Sequence, residues 1–318
     1  MAYITGSAAT FADLRTAIHN ACTANGWALN DGILSKNGCY FMLTAGTQSG
    51  YPMLRINGGT GQSGSTLNGQ PPNNYGAMLC SNAGPGTEIT FPINYEIHLF
   101  TNPDEVYCVI NYNSDFYQQL SFGKSDVPGI GGTGAWFTAA KRSNQALDSN
   151  SYGNKVFMSA YWPSTVGVLP YDGFPLGLFF DFNGDLGGSY FSSYVHTNLD
   201  STPWRSGNTS GSAWGGARAV ASLLLALPNL SNQATILLPI KPCARRNDGG
   251  LTIIANPKNA RYLRMDNVVP GEIVTFGSDQ WKCYPFMRKD ATVRNGVGWA
   301  TGATHSGTFG YAIRYTGT

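Results

Sequence analysis

Acidic side chains are scarce in this chain, 18 among 318 residues, so each place where they gather is a candidate for chemistry. The segment DFNGDLGG sets Asp181, Asn183 and Asp185 at alternate positions, which puts three oxygen side chains at sites 1, 3 and 5 of a calcium loop. The pattern then breaks. Leu186 stands where the loop needs glycine, and Ser192 stands where a bidentate glutamate should close the coordination shell. The segment reads as an Asx-rich turn after a strand, and no metal is assigned to it. Asp104 and Glu105 are adjacent. On an extended chain neighbours face opposite ways, so they cannot act together as acid and base, and the pair reads as part of a turn around Pro103. His19, His98, His196 and His305 are far apart, and none lies in a GxSxG, HExxH or phosphate-loop pattern. Cys22, Cys39, Cys80, Cys108, Cys243 and Cys283 show neither CxxC nor a zinc-type Cys/His spacing, and are expected to be buried free thiols. These patterns assign no catalytic residue, no metal ligand and no cofactor.

The elements that would have to carry any site are mostly short strands. An exception opens the chain: in SAATFADLRTAIHNACTANGW, Thr10 can cap a helix, Asp13 lies in its first turn, and Phe11, Leu14, Ile18 and Cys22 recur at helical spacing. Gly26 is placed to end it, which predicts one helix over about residues 10–24. From Trp27 the period shortens to that of strands, first in ALNDGILSKNGCYFMLTA and then in YPMLRING. Residues 58–76, GGTGQSGSTLNGQPPNNYG, are so rich in turn formers that they read as an extended loop, an arm suited to reaching a neighbour. HLFTNPDEVYCVINYNSDFYQQLSFGK, residues 98–124, reads as a three-stranded antiparallel meander with almost no charge along it. Residues 215–227 are a candidate second helix, with Gly215 and Gly216 counting against it; ATILLPIKPC and LTIIANP read as core strands. The last stretch, from RYLRMDN to GYAIRYTG, reads as a closing sheet. The expected fold class is mainly β (α+β), built of antiparallel sheets or a sandwich with the N-terminal helix. The expected divisions are 1–93, 94–240 and 241–318, the last of these packing on the others as one body.

Composition bounds the function classes. Charged residues make up 12% of the chain against a usual value of about 25%, while hydrophobic residues at 42% are ample for a core. Weakly charged surfaces associate readily, so a surface like this suits burial against neighbours. A net charge of +2, with its basic residues in pairs such as Arg245–Arg246 and Arg288–Lys289, excludes nucleic acid as the main ligand. The longest apolar run, Ala219 to Leu227, falls well short of the roughly 20 residues a membrane span needs, and the N-terminus lacks a secretory pattern. The expectation is a protein that stays soluble in the compartment where it is made.

Three passages together carry a family likeness: the helix followed by ACTANGW and its strands, NPDEVYCVINYNSDFYQQLSFGK, and WKCYPFMRK followed by HSGTFGYAIRYTG. The chain resembles a family of tailed-bacteriophage virion structural proteins over nearly its whole length, through diffuse patterns rather than catalytic signatures. The resemblance implies a building block of the tail, baseplate or neck, assembled in the host cytoplasm, repeated around the tail axis, with copies of itself and other virion proteins as partners. It brings no catalytic residues. Aromatic, uncharged strands could then pair and stack with neighbouring subunits without desolvating charge, which makes Tyr107, Tyr112, Phe116, Tyr117, Trp204 and Trp214 candidate interface residues. Packing inside the subunit is the competing reading for Phe116, Leu120 and Phe122. A second hypothesis is a host-surface or glycan-binding module, its sugar rings stacked on Trp162, Trp204 or Trp214. A third is a glycan hydrolase, which would need two carboxylates about 5–10 Å apart that no local pattern supplies.

Overall fold

The computed structural model describes residues 1–48, 50–72, 76–80, 88–142, 177–180, 192–206, 213–214, 220, 237–289 and 309–317. Its elements run β1 (Ala2–Ala8), α1 (Phe11–Ala24), β2 (Ala28–Asn30), β3 (Ile33–Lys36), β4 (Cys39–Gln48), β5 (Tyr51–Gly59), β6 (Gly61–Ser63), β7 (Thr66–Asn68) and β8 (Ala77–Cys80). The meander follows as β9 (Ile93–Thr101), β10 (Asp104–Tyr112) and β11 (Phe116–Lys124), then β12 (Ala135–Ala139), β13 (Lys141–Arg142), β14 (Ser193–Leu199), β15 (Thr202–Ser206) and β16 (Ala213–Trp214). The C-terminal part holds β17 (Leu238–Pro239), β18 (Cys243–Arg245), β19 (Leu251–Ile253), β20 (Ala260–Arg264), β21 (Ile273–Phe276), β22 (Asp279–Pro285) and β23 (Phe309–Tyr315). The protein is thus mainly β, with antiparallel sheets and a single helix among the described residues. That helix is not long and apolar enough to cross a membrane.

The helix forms where its sequence signals lie. The Asp13 amide donates to Thr10 Oγ1 at 3.1 Å and the Thr10 hydroxyl donates back to Asp13 Oδ2 at 2.8 Å, so the first turn is closed from both sides. Phe11, Leu14, Ile18, Ala21 and Cys22 form its buried face, and the Asn25 and Trp27 amides both donate to the Cys22 carbonyl at its end. β2, β3 and β4 follow as hairpins with two-residue turns, Asp31–Gly32 and Asn37–Gly38, in which all four residues have positive φ. Asx-Gly is the pair that reaches this conformation at low cost, and its twist matches that of the flanking strands.

Two large sheets face each other. A seven-stranded sheet runs β1-β9-β10-β11-β12-β14-β15, and a six-stranded sheet runs β13-β8-β5-β4-β3-β2. The predicted meander is at the centre of the first, with Cys108 opposite Ile97 on one side and Leu120 on the other. Alternation gives its strands two distinct faces. Val106, Cys108, Ile110, Leu120 and Phe122 point toward α1 and the six-stranded sheet, where Phe122 meets Trp27 and Phe41 with ring centroids 5.5 and 4.8 Å apart. β1 pairs with β9, and β13 pairs with β8, so strand pairing crosses the expected division at residue 93 in both sheets. Among the described residues all six cysteines are free; five are buried and Cys243 is half-buried.

The described part of 58–76, residues 58–72 and 76, is not the free arm expected from composition. Gly58 and Gly59 complete β5, and β6 and β7 form a small hairpin that Trp204 ties down by donating its indole N–H to the Gly69 carbonyl at 2.7 Å. The glycines serve close approach here: a side chain at Gly58 would run into the Phe137 and Trp204 rings. LTIIANP also differs from expectation. Its strand β19 lies at a sheet edge with Leu251 and Ile253 exposed, and burial begins only beyond it, at Ile254, Ala255 and Pro257. The candidate helix at 215–227 falls outside the described residues apart from Val220, which lies in a turn.

Gly38→Ala isolates the turn conformation, because nothing lies within 4 Å of the position a Cβ would take and φ is +81°. It should lower stability by about 1–2 kcal/mol through backbone strain alone. Thr10→Ala should cost about 1 kcal/mol through the lost cap. Urea unfolding of each variant against wild type measures both; a neutral Gly38→Ala would contradict the turn assignment.

Candidate functional site

Tyr112, Phe116 and Trp204 lie on the inner face of the seven-stranded sheet, toward the six-stranded sheet, whereas the other face carries Tyr107 and Tyr117 and is covered by the chain's own C-terminal sheet. That five-stranded sheet runs β17-β20-β23-β22-β21. β22 and β23 lie over β9 and β11: the Tyr284 ring sits 6.4 Å from Tyr117, and the Tyr117 amide donates to the Met287 carbonyl at 2.7 Å. Tyr262 adds a hydrogen bond to the Leu178 carbonyl at 2.5 Å. At the rim, Arg288 pairs with Asp115 at 2.6 Å and Lys258 pairs with Asp126.

The densest cluster of titratable groups lies within this contact. Glu96 on β9 gathers three donors on one oxygen: the Tyr3 hydroxyl at 2.5 Å, the Lys282 ammonium at 2.6 Å and the Tyr284 hydroxyl at 2.7 Å. Lys282 also donates to Tyr3 Oη at 2.9 Å and lies over the Tyr3 and Tyr315 rings. His98, two residues along β9 and buried, is 2.9 Å from Tyr284 Oη through Nε2. Since the Tyr284 proton goes to Glu96, His98 must be the donor in that bond, which sets the Nε2–H tautomer. Burial lowers the His98 ring to about 3, so it stays neutral. Burial pushes the Glu96 carboxyl up, but the donors from Lys282, Tyr3 and Tyr284 outweigh it and hold the group below the ordinary carboxylate range. Desolvation and the Glu96 charge push Tyr3 and Tyr284 well above the usual phenol range. Each phenol is therefore a fixed donor and Glu96 a fixed anion. The cluster holds two strands to one sheet; its groups spend their polarity on each other.

Asp104 and Glu105 do face opposite ways, but they open strand β10 instead of lying in the turn, and both are buried. Asp104 meets Lys36 at 2.8 Å and accepts from the Asn37 side chain at 2.6 Å on the side of the six-stranded sheet. Glu105 points into the C-terminal sheet contact, where it accepts from Lys258 and Asn259. No cluster of three or more metal-ligating side chains occurs among the described residues. Asp181, Asn183, Asp185, His305 and Trp162 lie outside them. His196 accepts at Nδ1 from the Thr133 amide at 2.9 Å, a structural tie between a loop and β14.

The candidate interface residues need correction. Tyr107, Tyr112, Phe116 and Trp204 are at most 6% exposed and pack inside the subunit, so they have no surface to present to a partner. Tyr107 lies against Trp136, Tyr112 stacks on Phe116, and Trp204 contacts Phe137 and His196. Trp204 is equally closed to a sugar ring. Tyr117 is half-buried under Tyr284, and the Trp214 side chain is outside the described residues. Leu120 and Phe122 are core, as the competing reading had it. Composition could not reveal this, because a polar aromatic face covered by the same chain looks identical in sequence to one covered by another. Apart from Met1 and Leu29, the exposed large apolar residues among those described are Leu251, Ile253, Val269, Ile273 and Phe276, all in the C-terminal part. Their signal was the brevity of LTI and IVTF between turn residues, which suits edges better than core. No protein-family model and no curated protein matches the chain.

Tyr284→Phe removes one donor from Glu96 and orphans the His98 N–H, and should cost about 1–3 kcal/mol in urea unfolding. Because the Glu96 carboxyl is held low, its contribution is present above the ordinary range and is lost as pH falls through its folded-state value. Lys282→Met should therefore move the acid-unfolding midpoint to higher pH, followed by circular dichroism; an unmoved midpoint would show that the ion pair contributes nothing.

Proposed function

We propose that this protein is a structural, non-catalytic component of a tailed-bacteriophage particle, placed in the tail, baseplate or neck and acting through contacts with copies of itself and other virion proteins. The likeness of its three passages to virion structural proteins supports the setting. The observation that carries the reading is the set of exposed apolar side chains on β19 and on β21 with the loop before it: Leu251, Ile253, Val269, Ile273 and Phe276. Both strands are sheet edges among the described residues, β19 paired with β18 and β21 paired with β22.

Such edges present unpaired backbone groups, and proteins that stay alone usually blunt them with charge, proline or a bulge. Among the other edges, β15 and β17 carry Pro203 and Pro239, and β1 and β2 lack charge and proline but expose only Leu29 among large apolar side chains. β19 reads LTI and β21 reads IVTF, with neither charge nor proline. Backbone pairing plus apolar contact at these edges is the chemistry of permanent assembly, and it desolvates no charge. The reading moves the assembly surface from the central aromatic strands to the C-terminal edges. The glycan-binding alternative loses Trp204, and no other observation favours it.

Light scattering of the purified chain should report an oligomer, and Ile273→Asp with Phe276→Asp should shift it toward monomer while far-ultraviolet circular dichroism stays unchanged. In intact particles the chain should appear as repeated density in the tail, baseplate or neck. A concentrated wild-type sample that remains monomeric, together with particles that lack the chain, would overturn the proposal.

A further inference from the structure

Beneath the C-terminal sheet lies a second carboxylate whose situation is opposite to that of Glu96. Glu105 is fully enclosed, and no ammonium or guanidinium group among the described residues binds it. Its Oε1 accepts from the Lys258 amide at 2.8 Å. Its Oε2 accepts from the Asn259 amide at 3.0 Å, the Asn259 side-chain amide at 2.8 Å and the Tyr107 hydroxyl at 2.9 Å. A group on β10 is thereby clamped to the segment that leads into β20, across 153 and 154 residues of sequence.

The charges around it are engaged elsewhere. Arg261 on β20 has electrostatic reach to Glu105, yet its Nη1 donates to the Lys258 and Ala260 carbonyls and its guanidinium lies 4.8 Å over the Trp281 ring. Lys258 turns its ammonium to Asp126, and Lys241 turns to Asn256. Beyond Arg261, Asp279 and Arg314 pair with each other. On the opposite face of the sheet, Asp104 is held by Lys36, and Lys124 donates to the Asn37 carbonyl at 2.9 Å. Tyr107, on Glu105's own strand, is the one titratable group bonded to it, and it is held neutral by desolvation and by the Glu105 charge.

We propose that Glu105 is a proton-linked clamp, which seats the C-terminal sheet tightly on the central sheet when the carboxyl is protonated and loosens it when the carboxyl ionises. The geometry admits the neutral form: the acid proton can point to Tyr107 Oη, whose hydroxyl rotates, while the amide donors keep the remaining lone pairs. Ionisation leaves a buried charge with dipoles but no counter-ion, the costly case. Burial accordingly pushes the carboxyl up to about 7, with the Lys258, Asn259 and Tyr107 donors working against that rise. A raised folded-state value means that stability is fully present below the ordinary 4.5 and is lost as pH rises through about 7. The docking equilibrium should change by up to about 10²-fold across that window. Glu96, held low by Lys282, gives no such response there, which leaves one fixed and one titrating carboxylate under the same sheet. The clamp does not rest on the virion assignment.

The histidines provide a built-in sign control. Burial lowers His19, His98 and His196, so their contributions grow as pH rises, the reverse of Glu105. The readout is therefore the difference between wild type and Glu105→Gln in urea unfolding from pH 5 to pH 8, with Glu96→Gln as the comparison variant. The wild-type advantage over Glu105→Gln should shrink as pH rises from 5 to about 7 and level off above it. Amide exchange at residues 309–315, corrected for its intrinsic pH dependence, should quicken in wild type and not in the variant. A difference that stays constant with pH would overturn the clamp. Should Glu105→Gln fail to fold, titration of ¹³C-labelled glutamate carboxyls in the wild-type chain decides: a Glu105 midpoint near 7 supports the proposal, and one at the ordinary carboxylate value sinks it.

Discussion

Both faces of the seven-stranded sheet must be covered, and the rest of the molecule is arranged around that requirement. An antiparallel sheet commonly packs one face on a core and leaves the other wet. Here the inner face takes α1 and the six-stranded sheet, and the outer face takes the C-terminal sheet, so β9, β10 and β11 are buried from two sides. Tyr107, Val109, Gln119 and Ser121 on the outer face are as enclosed as Cys108, Leu120 and Phe122 on the inner. The described sheets stack in three layers: the middle one comes mainly from the centre of the chain with β1 added from its start, and the outer one from its C-terminal part.

A polar buried face is costly unless each group finds a partner. The two glutamates show the two available answers. Glu96 is neutralised by Lys282 and wrapped by phenols, and it reaches back to Tyr3 on β1, so the first strand and the last sheet share one ion pair. Glu105 is held by amide dipoles and a phenol, with no cation bonded to it among the described residues. Tyrosine suits this layer because its ring supplies apolar area while its hydroxyl satisfies a carboxylate, as Tyr3, Tyr107 and Tyr284 do.

With the central aromatics used internally, the exposed large apolar side chains among the described residues, apart from Met1 and Leu29, gather in the C-terminal part. β19 and β21 are short edges without charge or proline, and they expose Leu251, Ile253, Ile273 and Phe276. The five-stranded sheet covers the central sheet, and its edge strand β21 exposes Ile273 and Phe276. A loosening of its seat at Glu105 would be felt at the β21 edge, since β20 lies in the same sheet as β21.

Local order was legible in the sequence because its causes are local. Thr10 and Asp13 cap a helix wherever they occur before an apolar 3.6-residue period, Asp31–Gly32 and Asn37–Gly38 make hairpin turns by their own backbone preferences, and the meander of 98–124 announces itself by alternation and turn residues. What covered each face was decided only by the tertiary structure. Alternation states that a strand has two faces and says nothing about whether a neighbour is another strand of the same chain or a second subunit. Tyr107, Tyr112, Phe116 and Trp204 were therefore read outward and lie inward, the 58–76 segment was read as an arm and is pinned by Trp204, and LTI was read as core and lies at an edge. Glu96, Lys282 and Tyr3 are 186 and 279 residues apart in pairwise separation from Lys282, and no local pattern can bring them together; only the stacking of sheets does so.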